Sequence, residues 1–129
     1  MTQRNTFICA GTLGLLAVAA GAFGAHALRG RLDPAQLEWW ATAARYQLIH
    51  AVALLIVAWG AGPWSRIRAA AAWGFTVGVL LFSGTLYAMA LGGPRILGAV
   101  TPLGGLAMMI GWLLVVIHGA RSAAATDQK

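Results

Sequence analysis

Apolar residues occur along this chain in four long runs, separated by short polar or glycine–proline breaks. The first run, Thr6 to Leu28, has about 23 residues, enough to cross the roughly 30 Å hydrocarbon core of a bilayer. It predicts a helix over 6–28. Asp33 then supplies an N-cap, Pro34 suits the first helical position, and Gln36 stands at the third. The second helix is predicted over 34–61, about 42 Å long at 1.5 Å per residue. That exceeds the hydrocarbon core, so its first turns, with Glu38, Trp39 and Trp40, are expected in the interface, where tryptophan is favoured. The polar turn Gly62-Pro63-Trp64-Ser65-Arg66 precedes a third helix over 69–91. Gly92-Gly93-Pro94-Arg95 breaks the chain, and Thr101-Pro102 reads as another N-cap pair opening a fourth helix over 102–120. Residues 96–100 are apolar yet precede that cap, which suits a short dipping segment. The polar tail, 121–129, is expected to be disordered. The fold class is an all-α integral membrane protein, a single domain of four transmembrane helices in a small Gly-rich bundle.

Small residues fall into stripes on these helices. Gly11, Gly14, Val18, Gly21, Ala22 and Ala25 share one face of the first, and Gly74 and Gly78 share a face of the third. With Gly105 on the fourth, these are the expected packing positions, because small residues let helix backbones approach closely in lipid.

Composition agrees with a lipid environment. Of 129 residues, 60% are hydrophobic and 9% charged, whereas soluble domains carry about 25% charged residues. The formal charge of +6 comes from scattered arginines and Lys129. They form no patch, so nucleic acid is not an expected partner, and they sit where topology-setting charges belong. The termini face carries Arg4, Arg66, Arg68, Arg121 and Lys129, and the far face Arg29, Arg31, Arg45 and Arg95. The bias favours cytoplasmic termini. Arg4, the first apolar run and Ala25-His26-Ala27 imitate a secretory signal, but the run is long enough to span and is read as a retained helix. The single cysteine, Cys9, excludes an intramolecular disulfide and packs as a small hydrophobe.

Polar groups within the spans are the candidates for function, since such groups are costly in lipid. His26, Arg29, Glu38, Thr42, Arg45, Tyr46, Gln47, His50, Ser83, Tyr87, Arg95 and Thr101 all map towards the far leaflet, leaving chiefly His118 in the other. Each also has a structural reading. The histidines can bond backbone carbonyls, Arg45 can snorkel or pair with Glu38, and the hydroxyls can bond their own helices. Two histidines at similar depth could ligate haem, but no Cys or carboxylate set makes a metal site, and no metal or other cofactor is expected. No catalytic constellation is present, because Asp33 serves as a cap and Glu38 lacks a partner acid or base. Arginine, histidine and tyrosine near an interface suit a lipid headgroup or a quinone.

Four motifs recur in order: Gly21-Ala22-Phe23-Gly24-Ala25-His26-Ala27-Leu28; Trp40-x-Thr42-Ala43-x-x-Tyr46-Gln47-x-x-His50-Ala51; Phe82-Ser83-Gly84-Thr85-Leu86-Tyr87; and Thr101-Pro102-Leu103-Gly104-Gly105, with Gly111-Trp112 beyond. Over about residues 6–118 the chain resembles the domain-of-unknown-function family of bacterial YgdD-type inner-membrane proteins, related to the eukaryotic transmembrane protein 256 family. The resemblance implies a small four-helix protein of the bacterial inner membrane without an established activity, and it supplies no catalytic residues. The leading expectation is a non-enzymatic protein that binds membrane lipid or quinone, or serves a larger membrane complex. A haem or redox protein using His26 and His50, and a small oligomeric transporter or channel assembled by self-association, stand as alternatives.

Overall fold

The structure is a computed structural model that describes residues 1–60 and 62–126, with side chains up to Ser122. Its four helices are α1 (Gln3–His26), α2 (Pro34–Trp59), α3 (Arg66–Ala90) and α4 (Thr101–Thr126), and no strand occurs among the described residues. All four are long and apolar enough to cross a membrane.

The helix ends follow from capping chemistry. The capping box expected at α2 is formed: Gln36 N–H donates to Asp33 Oδ1 at 2.8 Å, and Asp33 N–H donates to Gln36 Oε1 at 3.0 Å. Two caps extend helices beyond their apolar runs. Thr2 Oγ1 accepts from Asn5 N–H, which starts α1 at Gln3 rather than residue 6. Ser65 Oγ accepts from Arg68 N–H, so α3 starts at Arg66, inside the stretch read as a turn. α1 ends two residues before the predicted Leu28, and α2 stops at Trp59 with Gly60 as its cap.

At the far end, Gly92 takes a φ of +91° and turns the chain out of α3. The 96–100 segment is a 3-10 turn, Arg95–Ala99, that leads directly into α4. Thr101 is therefore the first residue of α4, not its N-cap. Its hydroxyl reaches back to Leu97 O at 3.3 Å and across to Thr85 Oγ1 at 2.8 Å. α4 also continues to Thr126, so residues 121–126 are helical rather than a disordered tail, and 127–129 lie outside the described residues.

Each helix packs mainly on its neighbour in the chain. α2 and α3 form the centre, α1 flanks α2, α4 flanks α3, and α1 touches α3 only lightly. Phe75, Leu54 and Val79 are fully buried between α2 and α3, with Leu13 of α1 and Met108 of α4 closing the cluster. The α3–α4 seam is built on glycine. A Cβ on Gly78 would lie 2.9 Å from Gly104 O, and one on Gly74 would lie 3.1 Å from Gly111 Cα. Gly104 and Gly111 fill the role expected of Gly105, which meets only the Phe82 ring at 4.0 Å.

The glycine stripe of α1 is a second correction. Gly11 and Gly21 face open space, and Gly14 makes only ordinary contact with Ala51. The buried stripe of α1 is instead Thr6, Ala10, Leu13 and Ala17. Hydrogen bonds onto backbone carbonyls fix this rotation. Trp64 Nε1–H donates to Met1 O, Gln47 Nε2–H to Leu13 O, and Trp40 Nε1–H to Ala20 O, while Gln3 Nε2–H donates back to Ala58 O. Polar bonds of this kind matter in lipid, where apolar burial does not drive helices together.

Candidate functional site

Trp39 and Trp40 lie about 30 Å from Trp59 along α2, a separation that matches the hydrocarbon core. With those belts as a ruler, the polar residues separate into distinct places and not one leaflet-wide cluster.

The first is a buried network about 10 Å below the Trp39–Trp40 belt. Tyr87 Oη–H donates to Gln47 Oε1 at 3.0 Å, Gln47 donates to Leu13 O at 2.8 Å, and Ser83 Oγ–H donates to Ala43 O at 2.9 Å. The Trp40 ring meets Tyr87 edge-on, with centroids 4.6 Å apart. These residues floor a cleft of about 320 Å³ between α1 and α3.

The second place lies on the other side of α2. His50, 5% exposed, bonds Tyr46 O through Nδ1 at 2.8 Å and meets Trp112 Nε1 through Nε2 at 3.2 Å. An indole N–H only donates, so Nε2 accepts and the proton sits on Nδ1. Phe75 and Trp112 pack against the ring, and Tyr46 stacks parallel to it. This is a clip holding α4 to α2.

The geometry corrects the equal depth expected of His26 and His50. Gln47 meets Leu13 and Trp40 meets Ala20, so His26 is level with the first turns of α2. His50 lies about 20 Å further along the axis. His26 is exposed, and the Nε2 lone pair of His50 is occupied by Trp112. The two cannot ligate one haem in this arrangement.

The third place is a groove of about 740 Å³ on the outer face of α1 and α2. Ala17, Gly21, Ala22 and Ala25 form its α1 wall, Ala41, Ala44 and Leu48 its α2 wall, and Arg29 and Arg45 line it. The stripe expected to pack against a helix is thus the wall of an open groove. Both arginines are exposed, and no ion pair forms among the described residues, so Arg45 and Glu38 are not paired. Arg45 sits about 8 Å deeper than the Trp39–Trp40 belt. Helical side chains lean towards the N-terminus, which here is the near interface.

Arg95 stands apart from these. With Asp33, Gln36 and Trp39 it lines a polar pocket of about 620 Å³ at the far end. Thr42 is half-buried without a hydrogen-bond partner among the described residues.

The termini end, expected to hold little beyond His118, contains the densest polar cluster. Arg68 is 2% exposed and caps the C-terminus of α2. Its Nε–H and Nη2–H groups donate to Val57 O, Ala58 O and Gly60 O, and Nη1–H donates to Gly62 O and Pro63 O. The guanidinium lies over Trp64, 5.0 Å from the ring centroid. Sequence reasoning counted Arg68 as a surface charge. Its position one turn after the Ser65 cap, facing back over a turn full of free carbonyls, was the available signal. Trp112 was also missed, although a tryptophan deep in a span must find an acceptor for its N–H. Among the described residues no three His, Cys, Asp or Glu side chains come together in a way that could hold a metal.

Residues 20–105 match the family described as "Protein of unknown function (DUF423)". The chain is 43% identical over 120 residues to the UPF0382 membrane protein YwdK of Bacillus subtilis, covering 91% of this chain and 98% of that protein. It is 44% identical over 114 residues to a UPF0382 membrane protein of Staphylococcus epidermidis, covering 88% and 93% of the two chains. A third such protein, from Staphylococcus haemolyticus, is 43% identical over 112 residues, covering 86% and 92%. No solved structure matches.

Proposed function

The chain belongs to the DUF423 family of proteins of unknown function, and for it we propose a non-enzymatic role: binding an anionic phospholipid in the groove between α1 and α2. The observation that carries this reading is Arg45. It is exposed, has no carboxylate partner among the described residues, and lies below the tryptophan belt. A cation at that depth is costly unless it reaches the interface or meets an anion. Arg29 lines the same groove from the α1–α2 connection. A lipid phosphate between two guanidiniums makes charge-assisted, bidentate hydrogen bonds. The small side chains below them leave room for an acyl chain against the α1 wall. Glu38 is exposed on the same helix and offers no base–acid pair for chemistry there.

The membrane in this proposal is the bacterial inner membrane, with cytoplasmic termini. Arg68 is buried as a cap and Arg45 lies inside a span. The remaining flanking charges are Arg4, Arg66, Arg121 and Lys129 at the termini face, against Arg29, Arg31 and Arg95 at the other. The bias keeps its direction. Reporter fusions to the C-terminus active only outside the cytoplasm would overturn it.

The binding test is the lipid that co-purifies. Protein extracted from membranes containing phosphatidylglycerol and phosphatidylethanolamine should retain phosphatidylglycerol in excess of the bulk ratio. Arg29→Gln combined with Arg45→Gln should return the retained lipid to that ratio. Wild type that already matches the bulk would contradict the proposal.

A further inference from the structure

We infer that the cleft between α1 and α3 is a second binding site, for a neutral apolar molecule with a ring carbonyl, of the isoprenoid-quinone class. The argument starts from Gln47, which is 5% exposed. A glutamine amide carries two N–H donors and one oxygen. One N–H bonds Leu13 O, and the oxygen accepts from Tyr87. The second N–H has no acceptor among the described residues. Hydrocarbon cannot satisfy it, and an unmet donor there is costly.

Gln47 lines the cleft together with Tyr87 and Ser83. Tyr87 and Ser83 have spent their protons on Gln47 and Ala43 but keep oxygen lone pairs. The floor thus offers one donor and two acceptors under apolar walls from Leu16 and Leu80. Its volume of about 320 Å³ is near the lower end of small-molecule sites, which run about 300–1,000 Å³. One ring fits, and two acyl chains do not. Gly84 lines the cleft, with open space where a Cβ would be.

Depth selects the class. Gln47 lies about 10 Å below Trp40, about a third of the way between the tryptophan belts and inside the hydrocarbon. Ester carbonyls of glycerolipids stay near the headgroups. A quinone ring on an apolar tail can enter the hydrocarbon and carry its carbonyls to that level. The carbonyl accepts from Gln47, and the ring lies beside Trp40.

The full chain in phosphatidylcholine nanodiscs, titrated with decyl-substituted benzoquinone, tests this through quenching of tryptophan emission. Saturable quenching is expected for wild type. Gly84→Leu, whose Cβ meets no neighbour, adds side-chain bulk to the lining of the cleft and should weaken binding about tenfold or more with helix content unchanged. Gln47→Leu should weaken it by a similar factor. Arg29→Gln with Arg45→Gln should leave it unchanged, which separates this site from the anionic groove. Displacement of the quinone by an equal concentration of decylbenzene, which has no carbonyl, would overturn the inference. So would equal binding to Gly84→Leu, or displacement of the quinone by an equal concentration of diacylglycerol.

Discussion

Arg68 makes more hydrogen bonds than any other described side chain, yet nothing in the sequence sets it apart from the topology-setting arginines. Arg68 ties the C-terminus of α2 to the start of α3 through carbonyls of Val57, Ala58, Gly60, Gly62 and Pro63. Replacing it with leucine strips those acceptors of the donors that the buried guanidinium supplies. We expect a stability loss on the order of 3 kcal/mol, read from unfolding in detergent. Arg68→Lys should not restore it, since an ammonium cannot serve the same fork of acceptors. An unchanged midpoint for Arg68→Leu would show that the cap is dispensable. His50 and Trp112 form the other tie, and a double-mutant cycle of His50→Phe and Trp112→Phe should give a coupling of about 0.6–1.7 kcal/mol. Independent effects would remove the clip. The depth of His50 was misjudged from sequence for a definable reason. Trp39 and Trp40 mark the interface, and three helical turns separate them from His50.

At the scale of elements, the four spans, the box at Asp33 and the break at Gly92 were legible, because long apolar runs and capping residues act locally. The early starts of α1 and α3 were missed because Thr2 and Ser65 cap polar first turns that hydropathy reads as loop. Which glycines pack was not legible, since helix rotation is set by bonds from other helices. Gly74 and Gly78 meet α4 backbone, whereas Gly11 and Gly21 of α1 meet nothing. Gly78→Val should therefore force α3 and α4 apart, costing about 2 kcal/mol or more through overpacking. Gly11→Ala should be neutral or slightly stabilising, since it gains helix propensity in open space. Thermal denaturation of both variants in the same detergent checks the contrast, and similar losses for the two would contradict this packing.

At the scale of the molecule, the chain is a serial array more than a closed ring of helices. α2 and α3 are the buried pair, and α1 and α4 are outer helices with most of their surface directed outwards. That arrangement opens a cleft on each side of α1. The apolar walls with Arg29 and Arg45 lie on one side, and Gln47, Ser83 and Tyr87 on the other, with Trp40 lining both. Sequence reasoning gathered these residues into one site because they share a leaflet by number, yet α2 divides the His50 group from the rest and α1 divides the arginines from Gln47. The central claim is that the outer groove selects an anionic lipid through the two arginines. The most direct measurement uses nanodiscs of phosphatidylcholine doped with a small fraction of brominated lipid, which quenches nearby tryptophan. Brominated phosphatidylglycerol should quench emission more than brominated phosphatidylcholine at the same dose, because Trp40 lines the groove. That excess should vanish in Arg29→Gln with Arg45→Gln. Equal quenching by the two brominated lipids in wild type would contradict the account.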